Sequence, residues 1–259
     1  MRKKVDLNCD LGESFGMYKI GNDEQIIPLI TSANIACGFH ASDPVVMTDT
    51  IKLAKINNTS IGAHPGFPDL QGFGRRNMYL TFDEIKTSVQ YQISALQGMA
   101  HAKGLKLQHV KPHGALYNMA AEDELIAQAI CEAVIEIDKN LILLGLSGSL
   151  LIKKAKNLGL KTAEEVFADR AYNPNGSLVS RNHPEALIND EEHAAKRVFR
   201  MIKEGKVLSI TGDDIPIQAD SICVHGDGEN ALKMVETIRK YLIKNDILIA
   251  PLEEVIKLK

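Results

Sequence analysis

The chain lacks the signatures of several large functional classes. It has no G-x-x-x-x-G-K-[ST] run, which excludes nucleotide binding by a P-loop. No serine stands in a G-x-S-x-G elbow, and Ser147-Gly148-Ser149 has no evident acid and base partner in sequence. Cys9, Cys37, Cys131 and Cys223 show no C-x-x-C spacing and mostly lie in apolar strand contexts. That argues for reduced, buried thiols in a cytoplasmic chain and against a disulfide framework. A net charge of −3 leaves no basic footprint for nucleic acid or an anionic membrane. No apolar run reaches ~18 residues, and Met-Arg-Lys-Lys leads straight into the first strand pattern, so neither export nor membrane spanning is expected. Internal repeats, low-complexity tracts and linkers are absent as well.

What is present fits one α/β enzyme domain over residues 1–259. The length is that of a single (β/α) barrel, and an apolar fraction of 45% is enough for a sizeable core. Strand patterns fall at 4–9, 30–36, 59–63, 106–111, 141–146, 162–167 and 220–225, with a weaker one at 207–210. Helical patterns lie at 43–57, 81–103, 120–138, 149–158, 190–204 and 228–243. Thr81-Phe82-Asp83-Glu84 is a capping box at the head of the second of these. Alternating elements predict parallel βα units and a TIM-like barrel of about seven parallel strands, with an open doubly wound sheet as the alternative. The long loops at 10–29, 64–80 and 168–188 all follow strands, on the side where such folds keep their chemistry.

The chemistry-bearing residues gather at those strand ends. In His109-Val-Lys-Pro-His-Gly-Ala-Leu-Tyr-Asn118, period-2 geometry puts His109, Lys111 and His113 on one face. The alternation of Val5-Asp-Leu-Asn-Cys-Asp10 does the same for Asp6, Asn8 and Asp10, and Gly12 and Glu13 follow at once. Ala33–His40, Ile61–Gly66 and Ser221–Gly228 are further apolar strands closing in a histidine and a glycine turn. Five of the eight histidines sort to strand ends, which a scattered core or surface set would not do. Gly226-Asp-Gly-Glu-Asn-Ala231 formally fits G-x-G-x-x-A, but Asp227 and Glu229 would set negative charge beside a phosphate, so a tight turn is its better meaning.

Long blocks of the chain resemble the LamB/YcsF family, described as lactam-utilisation proteins. They are Val5–Ser14, Ser32–His40, Gly62–Arg76, His109–Asn118, Glu165–Tyr172 and Cys223–Asp227, in the family's order and nearly end to end. One departure is Ser42, where the family has glycine. The resemblance implies a barrel of the glycoside hydrolase/deacetylase type. It also implies ATP-dependent opening of 5-oxo-L-proline to L-glutamate, with ATP going to ADP and phosphate, in a complex with 5-oxoprolinase subunits B and C. ATP, with Mg2+ as its counter-ion, is then the expected cofactor, at a site shared with or carried by the partners.

Such chemistry needs cations near a phosphoryl group and developing oxyanion, a base for water and an acid for the leaving amine. Asp10, Glu13, His64, Lys111 and His113 are the catalytic candidates, with Lys111 as charge stabiliser. Asn8, Asn34, His40, Arg75, Arg76 and His225 are the substrate-binding candidates. His109 is expected to pack lower in the barrel, and removal of Lys111 or Asp10 to lower turnover by at least roughly 100-fold without unfolding the chain. No bound metal is expected, because Lys111 would oppose a cation. Two alternatives stand beside this reading: a stand-alone metal-dependent amide hydrolase or deacetylase using Asp10, His64 and His113 as ligands, and a non-catalytic lactam-binding subunit.

Overall fold

The computed structural model describes residues 3–224 and 231–257. Seven parallel strands close into a barrel. In chain order they are β1 (Lys4–Leu11), β2 (Ser32–Ala36), β3 (Ser60–His64), β4 (Leu107–Val110), β5 (Ile142–Leu146) and β6 (Lys161–Phe167). The chain then makes an antiparallel pair, β7 (Lys206–Leu208) with β8 (Asp214–Pro216), before the seventh barrel strand, β9 (Ser221–Cys223). Strand β9 pairs with both β6 and β1 and so closes the ring. A two-residue strand, β10 (Leu248–Ile249), adds to the start of β1.

Helices cover the barrel: α1 (Asp23–Ile26), α2 (Pro44–Ile56), α3 (Phe82–His101), α4 (Gly114–Ala120), α5 (Glu124–Asp138), α6 (Leu150–Asn157), α7 (Glu191–Glu204), α8 (Ala231–Lys244) and α9 (Leu252–Ile256). Their starts are fixed by local chemistry. The Thr81 hydroxyl and Glu84 carboxylate form the reciprocal capping box at α3, and Asp43, Asp123, Ser149 and Asp190 cap α2, α5, α6 and α7 with side-chain oxygens. Apolar faces such as Ile85, Val89, Ile93 and Leu96 of α3 are buried in the main core.

Several elements differ from the sequence pattern. The pattern at 207–210 is not a barrel strand; its residues open the β7–β8 pair, too short and antiparallel to extend the ring. The segment after His113, which the helical pattern at 120–138 does not include, forms α4, and the separate Asp123 cap begins α5. The short β10 and α9 carry no periodicity long enough to read; Leu252 of α9 packs on Ile142, Leu144 and Ala163.

Register sets the site. The pairings Asp10 with Asn34, Ala36 with His64, and Glu165 with Ser221 bring residues distant in sequence together in the barrel interior. Between β3 and β4 the register shifts at Ile61/Gly62, beside His109. Any Cβ on Gly62 would collide with the imidazole of His109, so only glycine leaves room for that ring.

Candidate functional site

Polar side chains occupy the barrel interior, stacked from floor to mouth. At the lowest level Asp6 accepts hydrogen bonds from the hydroxyls of Thr31 (2.7 Å), Ser32 (2.7 Å) and Ser221. Burial raises its carboxyl pKa to about 6 despite those donors. One layer up, the Asn8 amide donates to Glu165 Oε1 (2.9 Å) and Ser221 Oγ (2.7 Å), and its carbonyl accepts from Asn34 Nδ2 (2.7 Å). Asn34 also donates to Asp10 Oδ1 at 2.8 Å, while its own carbonyl oxygen lies 2.7 Å from His109 Nε2. Burial, followed by the charge of Lys111, lowers the His109 pKa to about 3, so the ring is neutral and donates to Asn34.

Lys111 is the centre of the next layer. Its ammonium is buried and lies 2.8 Å from Asp10 Oδ1 and 3.0 Å from Glu165 Oε1. Burial works against the charge, but the two carboxylates outweigh it and hold the lysine pKa well above its ordinary value. The phenol of Tyr117 completes Glu165 by donating to its second oxygen at 2.7 Å.

Above the lysine, at the mouth, stand Glu13, His40, His64 and His113. His64 Nδ1 lies 2.7 Å from the carbonyl oxygen of Lys111, and His113 Nε2 lies 2.8 Å from that of Phe73. The remaining nitrogens, His64 Nε2 and His113 Nδ1, are 2.9 Å apart. His40 stacks on His113 with ring centroids 3.7 Å apart, and its Nε2 is 3.5 Å from Glu13 Oε1. Burial, reinforced by neighbouring imidazoles, pushes the pKa values of His40 and His113 well below the ordinary histidine range. Gly74, at φ +63°, lies against His40 and His113 where a side chain would collide with both. One donor atom from each of Glu13, His40, His64 and His113 falls within 4.8 Å of all the others, close enough for the four residues to hold a cation together.

The mouth opens into a cavity of about 690 Å³. Asp10, Glu13, His64, Lys111 and His113 line it, together with Arg75, Arg170 and Arg181 from the loops after β3 and β6. Arg170 is buried and donates to the carbonyl of Val179 at 2.6 Å. Burial, then the charge of Arg181, lowers its pKa to about 10, so it remains charged at neutral pH.

Several sequence expectations change in detail. The five catalytic candidates do converge. Asn8 and Asn34 lie beneath the cavity and orient Glu165, Asp10 and His109, because strand parity carries them into the barrel interior. Arg76 is not a cavity residue: its guanidinium is turned onto Asp69, with Nε 3.0 and 3.1 Å from the two carboxylate oxygens, and braces the loop. Arg75 does line the cavity, with its guanidinium 4.8 Å from the Phe73 ring centroid. His40 joins the histidine cluster, and His225 and the turn at 226–230 lie outside the described residues. Sequence reasoning gave no role to Glu165, Tyr117 or Arg170. The signal for Glu165 was a carboxylate within the apolar strand run Ala163–Ala168.

The chain as a whole has relatives. A model of the LamB/YcsF family matches residues 5–257. The chain belongs to this family. Among LamB/YcsF relatives, the 5-oxoprolinase A subunit of Clostridium beijerinckii is 62% identical over 252 residues, spanning 97% of this chain and 99% of that one. The solved lactam utilization protein from Thermus thermophilus superposes with a TM-score of 0.90 at 44% identity, over 95% of this chain and 99% of that one. A T48 deacetylase solved with substrate shares the fold alone, with a TM-score of 0.52 at 14% identity over 100% of this chain and 92% of its own. LamB/YcsF membership therefore rests on the whole chain, including every strand that carries a site residue.

Proposed function

We propose that this chain is the A subunit of an ATP-dependent 5-oxoprolinase, working with subunits B and C to open 5-oxo-L-proline to L-glutamate as ATP goes to ADP and phosphate. The observation that carries this reading is the Asp10–Lys111–Glu165 ion triad beneath a cavity that is also lined by Arg75, Arg170 and Arg181. A small anionic amide fits in this cavity, its carboxylate toward Arg75 and Arg170 and its ring carbonyl toward Lys111. The named relatives, 5-oxoprolinase A subunits and a lactam utilization protein, support the same substrate.

A five-membered lactam is resonance-stabilised and a poor electrophile, so phosphorylation of its carbonyl oxygen at the expense of MgATP supplies the activation. Water then attacks the activated carbon. In this reading Lys111 stabilises charge on the carbonyl or phosphoryl oxygen, while Asp10 takes the proton of water and returns one to the leaving amine. The chain lacks a P-loop, which is why the nucleotide is assigned to a site shared with or on the partners. Four cysteines that are all free and buried fit a reducing cytoplasm, and among the described residues no helix is long and apolar enough to cross a membrane.

The test is turnover of 5-oxoproline with MgATP by the chain alone and with both partner subunits. Glutamate and phosphate in coupled amounts are expected only from the mixture. ATP-dependent glutamate formation by the chain alone would overturn the division of labour, and ATP-independent hydrolysis of another amide would replace the reaction.

A further inference from the structure

We propose that Glu13, His40, His64 and His113 form a binding site for one divalent cation of the zinc type at the mouth of the barrel. The inference does not depend on the identity of the organic substrate.

Tautomers carry the first step. A carbonyl oxygen can only accept, so the contacts to Lys111 O and Phe73 O put the ring proton of His64 on Nδ1 and that of His113 on Nε2. A neutral imidazole has one N–H. With both rings neutral, His64 Nε2 and His113 Nδ1 turn lone pairs toward each other across 2.9 Å, an arrangement that repels unless a proton or a cation lies beside both, and Asp10 Oδ2 stands 3.4 Å from His64 Nε2. The two carbonyls also do what ring-orienting partners do at metal sites: they fix which nitrogen is available.

His40 supplies an independent observation. The residue is 1% exposed, and neither ring nitrogen has a hydrogen-bond partner. A buried imidazole without partners is costly, and its Nε2 lies 3.5 Å from Glu13 Oε1; because the ring is stacked parallel on His113, it swings out of that stack to share an ion with it. Glu13 Oε1 is in turn 3.6 Å from His113 Nδ1. Ligands bound tetrahedrally at ~2.0–2.1 Å stand ~3.3–3.4 Å from one another. The separations of 2.9, 3.5 and 3.6 Å bracket that edge length.

Charge balance answers the objection that Lys111 would repel a cation. Its ammonium is held against Asp10 Oδ1 and Glu165 Oε1, below the histidines. Asp10, Glu13 and Glu165 together exceed Lys111 by two formal negative charges, so a dication neutralises the group, with exposed Arg75 adding only a screened charge at the rim. Three imidazoles and one carboxylate are the donor set of zinc or cobalt rather than of calcium or magnesium.

The experiment titrates the chelator-stripped full chain with Co2+ alone, following visible d–d absorption, and counts bound Zn2+ by elemental analysis. One ion per chain is expected, with at least 100-fold weaker binding in both His40→Gln and Glu13→Gln and unchanged binding in His101→Ala, a helix-end residue remote from the cluster. Thermal melts establish that the variants are folded. Nitrogen NMR of the wild-type histidines gives a readout that no variant can confuse: the His64 Nε2 and His113 Nδ1 signals should shift on adding Zn2+. No stoichiometric binding, binding undiminished in both folded variants, or a proton retained between His64 and His113 at saturating Zn2+ would each overturn the proposal.

Discussion

Replacing Lys111 by methionine keeps most of the side-chain volume and removes only the charge, which isolates what the ammonium does for the fold. In the parent, two carboxylates depend on it: Glu165 is fully buried, and the Asp10 side chain is 11% exposed. Removing one partner from a buried pair costs about 3–5 kcal/mol. A second route gives a similar figure. To avoid a bare buried charge at pH 7, one carboxylate must take up a proton, and raising its pKa by about three units costs about 4 kcal/mol. The figure stays near the lower end of the range because Glu165 keeps the Asn8 and Tyr117 donors and Asp10 keeps Asn34. Against a typical stability of 5–15 kcal/mol, about 3–4 kcal/mol is a large loss.

The pH dependence identifies the cause. In Lys111→Met the protonated carboxyl has a raised folded-state pKa, so its contribution is present at low pH and is lost as pH rises toward 7. The deficit relative to the parent should shrink from about 4 kcal/mol at pH 7 to about 1–2 kcal/mol at pH 5. Adding Glu165→Gln to Lys111→Met should return most of the loss at pH 7, because one unpaired charge is gone. Urea unfolding of parent, single and double variants at both pH values measures all of this. A single variant within 1 kcal/mol of the parent at pH 7, or a deficit that does not change with pH, would refute the ion-triad account.

Two further expectations concern residues that do not line the cavity. Asp6, with its pKa raised to about 6 in the folded chain, favours the protonated state, so its contribution is present at low pH and is lost as pH rises through about 6. Asp6→Asn should therefore gain on the parent by on the order of 3 kcal/mol between pH 4 and pH 7, and a flat difference in urea melts would show that Asp6 ionises normally. Ser42 has φ +75°, where an L-residue pays about 1–2 kcal/mol, and glycine loses about 0.5–1 kcal/mol of that advantage to chain entropy. Ser42→Gly should stabilise by up to about 1 kcal/mol, and a lower melting temperature would contradict this.

Where the sequence was legible, a simple geometric rule was at work. Period-2 alternation in β1 and β4 put Asp6, Asn8 and Asp10, and His109 and Lys111, into the barrel, and parallel closure brought them together. His113 lies beyond β4, yet it continues the same face because the chain stays extended until α4 begins. Glu165 was harder to see. Adjacent Glu164 and Glu165 must face opposite sides, but which one enters the barrel is set by pairing with β9, and that register is not local. Glu164 binds Lys156 outside, whereas Glu165 closes the lysine triad. Arg75 and Arg76 are likewise adjacent, and only the contact of Arg76 with Asp69 separates the cavity residue from the loop brace.

The departure of Ser42 from the family's glycine shows a different limit. A loop position reveals its need for glycine only through its backbone angle, and here the need is a left-handed residue between His40 and the Asp43 cap of α2. That turn carries His40 back over the mouth, where it stacks on His113. A change read as tolerable in a loop therefore sits two residues from a member of the histidine cluster, and its strain is borne by the segment that positions the ring.

Lys111 ties the two halves of the site together through separate parts of one residue. Its side chain anchors the ion triad in the barrel, and its carbonyl fixes the tautomer of His64 above. A barrel of this size filled with branched apolar residues would be easier to stabilise, since a buried ion pair is often matched or exceeded by apolar packing of the same volume. Here the apolar core lies largely between the barrel and its helices, while Asp6, Asn8, Asn34, His109, Lys111 and Glu165 occupy the interior. Each of those side chains makes at least one contact to another polar side chain, so no layer can be made apolar without stranding the next. The interior network therefore sets the position of the groups at the mouth, and a substitution well below the cavity should disturb chemistry there without touching substrate.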